Sequence, residues 1–290
     1  MNSELIIFLL EGGQLAEKHK LNVKGKLSIL HLERVENPVD TKEATVAQKE
    51  NLHHLTLNWR KYGESESQEH AEQALESLEP HPNPKQLKIE GYKNLPPPGM
   101  LHALRNLTFS RINKVEYVEK EYHCGGALRR FPSLQTLKIE HLPRLERFSE
   151  DNERELLPNL TKLTVSDCYK LSSLPLSLVS LRKLDTKHCN EDLLDSVSYL
   201  STLTSLVLGY LDEVTSFPHR MLQNLAAHQK SQILYLSSLQ RLMISQFLEL
   251  AALPDTVEHL ISLKDLCLDG LDKLRILPMS AWFASVHCSI

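Results

Sequence analysis

The stretch Leu160-x-x-Leu163-x-Val165-x-x-Cys168-x-x-Leu171-x-x-Leu174-Pro175 decides how this chain folds, because it is one of a series. The same phrase precedes it as Leu134-x-x-Leu137-x-Ile139-x-x-Leu142-x-x-Leu145. It returns as Leu203-x-x-Leu206-x-Leu208-x-x-Leu211-x-x-Val214-x-x-Phe217-Pro218, and as Leu239-x-x-Leu242-x-Ile244-x-x-Phe247. The last full copy is Leu263-x-x-Leu266-x-Leu268-x-x-Leu271-x-x-Leu274, closing on Leu277-Pro278. Weaker copies stand at Leu27/Leu30/Leu32, Leu52/Leu55/Leu57, Leu87/Ile89, Leu104/Leu107/Phe109 and Leu181/Leu184. Side chains alternate along a strand, so the two apolar residues of L-x-L share one face of a short strand. The leading leucine turns in from the preceding bend. One such coil cannot cover its own apolar face, so each depends on the next, strand beside strand in a parallel sheet.

Ten copies of L-x-x-L-x-L resemble the leucine-rich repeat. The resemblance implies the α/β class: a solenoid shaped as a curved horseshoe, with a parallel β-sheet on the concave face and an irregular or helical convex side. The reading divides the chain into a lead-in (residues 1–26), a repeat domain (27–278) and a non-repeat tail (279–290). Two insertions interrupt the period. Between Trp59 and Pro84, Ala71, Ala74, Leu75 and Leu78 fall at helical spacing among six glutamates, which predicts a solvated amphipathic helix. His219 to Leu236 predicts a second helix on the outer side, and Asn94-Leu-Pro-Pro-Pro-Gly99 a turn or polyproline stretch.

Composition narrows the function classes. With 33 Lys+Arg against 37 Asp+Glu in 290 residues, the chain carries no global nucleic-acid or membrane charge signature. Leucine is the outlier, at 56 residues. The five cysteines are odd in number, widely spaced and without a CxxC pair, which argues against a disulfide framework or a zinc site and fits a reducing compartment. The apolar run Leu5–Leu10 is too short to span a bilayer and follows no basic region. A cytoplasmic location is the expectation. The triplets at Asn106 and Asn159 are read as chance glycosylation matches.

No constellation for catalysis is visible. The phosphate loop, HExxH, GxSxG and GxGxxG patterns are absent. His53-His54 are adjacent in a strand and point to opposite faces, a poor metal geometry. Cys168 and Cys189 follow their strands by similar offsets and are expected to stack as small fillers, and Trp59 and Trp282 to pack. The sequence therefore names no catalytic, cofactor or metal residue, and a non-enzymatic protein is expected.

What remains is the exposed side of the sheet. The positions flanking the apolar strand residues of the middle copies carry Lys85, Lys88, Arg105, Arg111, Lys138, Lys162, Arg182, Lys183 and Lys187. Against these nine cations stand four acids, Glu90, Glu140, Asp167 and Asp185. A cationic surplus on one face of a net acidic chain would steer an acidic protein partner. The copies lack aromatics spaced for base stacking, which argues against nucleic acid as that partner.

The first hundred residues resemble one family. Gly25 to Asn37, Ala44 to Lys49, Asn51-Leu-His-His-Leu-Thr-Leu-Asn-Trp59 and Leu78 to Tyr92 are similar to the leucine-rich repeat region of plant coiled-coil, nucleotide-binding, leucine-rich-repeat disease resistance proteins. Asp167-Cys168 with Leu171 and Leu174-Pro175 match its later repeats. The resemblance implies recognition of a pathogen effector or a guarded host protein, and contact with the family's own nucleotide-binding domain. ADP or ATP would bind that upstream domain, whose motifs are absent here; no cofactor is expected in this chain. Because no polar cap precedes the first repeat, a fragment of a longer receptor is expected. The alternative is a ubiquitin-ligase adaptor or another generic leucine-rich repeat interaction scaffold. Three rivals fit less well: residues 1–26 are too short for the F-box-like segment of an adaptor, an extracellular receptor would show paired cysteine caps, and an enzyme is the least supported.

Overall fold

The computed structural model describes residues 4–8, 25–34, 52–59, 84–92, 104–118, 123–124, 127–128, 131–148, 157–211, 214–216, 236, 238–253, 257, 260–276 and 285–289. The helices expected at Trp59–Pro84 and His219–Leu236, the Asn94–Gly99 turn and Trp282 lie almost entirely outside the described residues. The chain forms two compact units: Met1–Val115 with Glu121–Leu142, and Glu116–Lys120 with Pro143–Ile290.

In the first unit, strands β1 (Glu4–Phe8), β2 (Gly25–Leu30), β3 (Leu52–Asn58), β4 (Gln86–Glu90), β5 (Asn106–Ser110) and β8 (Thr136–Glu140) pair in that order, all parallel. Two-residue strands β6 (His123–Cys124) and β7 (Ala127–Leu128) pair antiparallel as a separate sheet. The second unit repeats the scheme with β9 (Lys162–Cys168), β10 (Lys183–Cys189), β11 (Ser205–Gly209), β12 (Arg241–Ser245), β13 (Asp265–Asp269) and β14 (Ser285–Ser289). This is the leucine-rich repeat architecture. The lead-in and the tail each supply a strand, β1 and β14.

The register explains the spacing of the phrase. Leu27, Leu55, Leu87, Leu107 and Leu137 stand side by side and buried in the first unit; Leu163, Leu184, Leu206, Leu242 and Leu266 do so in the second. Each contributes about 1.5–3 kcal/mol by removing its surface from water. The leading leucines, Leu104, Leu134, Leu160, Leu181, Leu203 and Leu239, are buried as well. Thr186 occupies an inward slot, 2% exposed, which is why the Leu181/Leu184 copy reads weakly although its strand is complete.

Return segments are largely irregular among the described residues, and include a 3-10 turn at Leu32–Arg34 and a short helix, α1 (Leu193–Val197). In α1 the buried Ser196 hydroxyl accepts the Leu174 N–H at 3.0 Å and donates to the Leu193 carbonyl at 2.7 Å, tying two coils together. Cys168 and Cys189 are register partners and free thiols, stacked as the sequence suggests. Burial pushes the Cys189 thiol up to about 12, with Cys168 beside it adding to the effect.

A row absent from the sequence reading runs along the trailing ends of the strands, two residues after the second inward side chain of each. His31, Gly91, Arg111 and His141 in the first unit, and Asp167, His188, Tyr210, Gln246 and Gly270 in the second, all have φ between 49° and 77°. The left-handed turn aims the backbone N–H sideways. Gly91, Arg111, Tyr210 and Gln246 donate to the carbonyls of Ser110, Glu140, Ser245 and Asp269 on the next strand, at 2.9–3.0 Å. Trp59 takes the same slot after β3 and donates to Glu90 at 2.8 Å.

Candidate functional site

Alternation leaves the first and third residues of β4, β5 and β8–β13 on the open face. The nine cations read from the sequence do not all stand there. Lys85, Arg105 and Arg182 each precede a strand by one residue and line its leading end, exposed. Their carbonyls each accept two N–H groups from the next coil: Lys85 from Arg105 and Asn106, Arg105 from Gln135 and Thr136, Arg182 from Thr204 and Ser205. The Arg182 guanidinium reaches the Thr202 carbonyl at 3.2 Å.

In the first unit the facing cations are neutralised locally. Lys88 pairs with Glu90 at 3.0 Å, Arg111 crosses to the same carboxylate at 2.6 Å, and Lys138 pairs with Glu140. Burial works against the Glu90 charge, yet Lys88, Arg111 and Asn58 together hold its carboxyl below the ordinary carboxylate range. His53 is an exposed extra residue at a register shift between β2 and β3, while His54 is half-buried. Burial, then Lys26 and His53, lower the His54 imidazole pKa.

The second unit is different. Lys162 and Lys183 are register partners at the leading ends of β9 and β10, and Lys187 stands at the far end of the β10 face. Among the described residues, none of the three has a carboxylate in ion-pair reach. The intervening acid is Asp185, whose Oδ1 is buried and has no hydrogen-bond partner among the described residues. Further along, the middle row turns apolar with Val207, Met243 and Cys267, each half-buried. Arg241 is matched by its register partner Asp265 at 3.1 Å.

The trailing end of the second unit carries a feature that the sequence reading missed. Asp167, His188 and Tyr210 occupy consecutive slots of the left-handed row, and Tyr169 follows Asp167. The His188 Nδ1 lies 2.7 Å from Asp167 Oδ1. Its ring stacks near Tyr169 (centroids 6.4 Å apart, planes at 26°) and tilts onto Tyr210 (4.4 Å, 56°). Tyr169 is 60% exposed and Tyr210 42%. The available signal was positional: each of Asp167, His188 and Tyr210 stands two residues after the second inward side chain of its strand.

Among the described residues no group of three or more His, Cys, Asp or Glu could hold a metal ion, and no helix is long and apolar enough to cross a membrane. The arrangement offers charge, rings and a half-buried apolar row on a rigid sheet, the means of binding another macromolecule.

Comparison with known proteins agrees with this geometry. Residues 15–142 match the R13L1/DRL21 leucine-rich repeat family. RGA4 of Solanum bulbocastanum is 35% identical over 247 residues, covering 74% of this chain and 25% of the relative. Disease resistance protein RGA2 of the same species is 31% identical over 249 residues, covering 74% of this chain and 23% of the relative. The chain thus spans about a quarter of the length of these relatives. Among solved structures, the leucine-rich repeat domain of the type III effector XopL superposes with a TM-score of 0.52 at 20% identity, over 72% of this chain and 68% of that one, a likeness of fold.

Proposed function

This chain belongs to the leucine-rich repeat proteins related to plant disease resistance proteins, and on that footing we propose that it is a non-enzymatic recognition module of plant innate immunity. It acts in the cytoplasm and its partner is a protein: a pathogen effector, a guarded host protein or the nucleotide-binding domain of a longer receptor. The partner is engaged through the open strand face. The observation that supports this reading is the set of lysines on the second unit, Lys162, Lys183 and Lys187, which have no carboxylate in ion-pair reach among the described residues, whereas Lys88, Lys138 and Arg241 each have one. A charge held off its counter-ion by a rigid backbone raises the rate and selectivity of encounter with an opposite surface.

The test is charge reversal in the full chain. K162E with K183E, and separately K138E, are compared by proximity labelling in infected leaf tissue, alongside the melting temperature. The reading expects the double reversal to deplete the wild-type partner set without lowering the melting temperature, and K138E, whose lysine already has an acid beside it, to do less. An unaltered partner set after the double reversal refutes the role of this face.

A further inference from the structure

We propose that the trailing end of β9–β11 anchors an acidic protein segment that carries an aromatic residue, with Tyr169, His188 and Tyr210 as the platform and Lys187 as the charge beside it. This deepens the reading above and rests on it.

Three observations carry the proposal. The first is cost without internal benefit. Asp167, His188 and Tyr210 hold φ of 55°, 49° and 57°, a region where a side chain is strained and glycine is not. Equivalent slots in other coils are filled by Gly91 and Gly270, and by His31, Arg111, His141 and Gln246; at Asp167, His188 and Tyr210 the side chains also meet one another. Strained non-glycine residues that leave their rings in water point to a use for the side chains.

The second is preorganisation. The Asp167 carboxylate fixes His188, with the Tyr169 hydroxyl 3.5 Å from the same oxygen, and His188 sits between the two tyrosine rings. Rings already ordered lose little freedom when another ring packs on them, which is why tyrosine concentrates in binding surfaces.

The third is charge. Lys187 immediately precedes His188, and Gly209 immediately precedes Tyr210 on the neighbouring strand. A Cβ at Gly209 would lie 3.4 Å from the Lys187 Cγ, so the lysine stem lies over the bare glycine next to Tyr210. Lys183 on β10 and its register partner Lys162 on β9 add cations at the leading ends of those strands. Asp167 is engaged by His188, which leaves Asp185 as the opposing acid on these strands. An acidic segment is attracted by these lysines, whereas a basic one is repelled.

The test uses three random copolymers as probes for the full chain: glutamate–tyrosine, polyglutamate and lysine–tyrosine, titrated by fluorescence anisotropy at fixed salt. The proposal expects the glutamate–tyrosine polymer to bind about tenfold more tightly than polyglutamate, and lysine–tyrosine not to bind. The variant Y169S/Y210S should erase that preference and keep the polyglutamate affinity, at an unchanged melting temperature. K187E should weaken both acidic polymers. Equal binding of the two acidic polymers, with both lost in K162E/K183E, overturns the platform and leaves the lysine face standing. Acidic-polymer binding indifferent to K162E/K183E overturns both readings, and preference for lysine–tyrosine overturns the charge assignment.

Discussion

Replacing Gly91 with alanine should damage the first unit more than its small size suggests. At φ +77° an alanine enters the left-handed region, which costs about 1–2 kcal/mol. The neighbouring row shows that this alone is survivable, since Arg111 and His141 hold φ of 57°. The difference lies in what the new Cβ would meet. It would fall on the backbone carbonyl oxygen of Trp59, well inside van der Waals contact, and a backbone atom cannot swing aside. Relief requires separating the coils, which gives up the Trp59 N–H bond to Glu90 at 2.8 Å and the Gly91 N–H bond to Ser110 at 2.9 Å. At about 0.5–1.5 kcal/mol for each lost bond, the expected total is about 2–5 kcal/mol. Gly270→Ala is the matched comparison: its φ is +59°, but its Cβ meets the amide end of the Gln246 side chain, which can rotate away. Its expected cost is the conformational part alone, about 1–2 kcal/mol. Urea denaturation followed by far-ultraviolet circular dichroism measures both, and hydrogen exchange at the Trp59 and Gly91 amides locates the damage. Equal losses for the two variants, or unchanged protection at those amides, would refute the steric reasoning.

Three further outcomes follow from the packing. Leu163→Ala empties a fully buried slot in the β9 row and should lower stability by about 2–5 kcal/mol in the same denaturation assay. Ser196→Ala strands the buried Leu174 N–H and should cost about 1–3 kcal/mol, with Ser196→Thr recovering part of it where the methyl fits. Because burial holds the Cys189 thiol near 12, the unfolded chain gives up that proton first. This contribution is intact below about pH 9 and is lost as pH rises from there toward 12. Iodoacetamide at pH 8 should leave Cys189 of the folded chain unmodified and label it after unfolding, as read by mass spectrometry.

The fold was legible because it depends on one side-chain type at a fixed spacing. Leu137, Leu163, Leu206 and Leu242 are buried for the same reason that they recur, and the Cys168–Cys189 stack follows from equal offsets in adjacent copies. The face was only partly legible. Counting signs along the sequence placed Lys88 and Lys138 on the sheet, but it treated all nine cations as one field. Which of them remain unmatched depends on contacts across strands, such as Arg111 reaching Glu90, that are 21 residues apart in sequence. Lys85, Arg105 and Arg182 look equivalent to strand residues until the backbone shows them one step before the pairing begins. The ring platform escaped notice because its members differ in chemical type. No residue pattern announces a slot occupied in turn by aspartate, histidine and tyrosine; only the shared left-handed backbone does.

That the middle outward row accepts Thr164, Asp185, Val207, Met243 and Cys267 on one unbroken register has a consequence for descent as well as for binding. Mutation can rewrite these five residues independently, since the inward leucines keep the coils assembled whatever stands outside. A lineage under pressure from a changing adversary could thus alter what the surface fits, one strand at a time, without renegotiating how the chain folds.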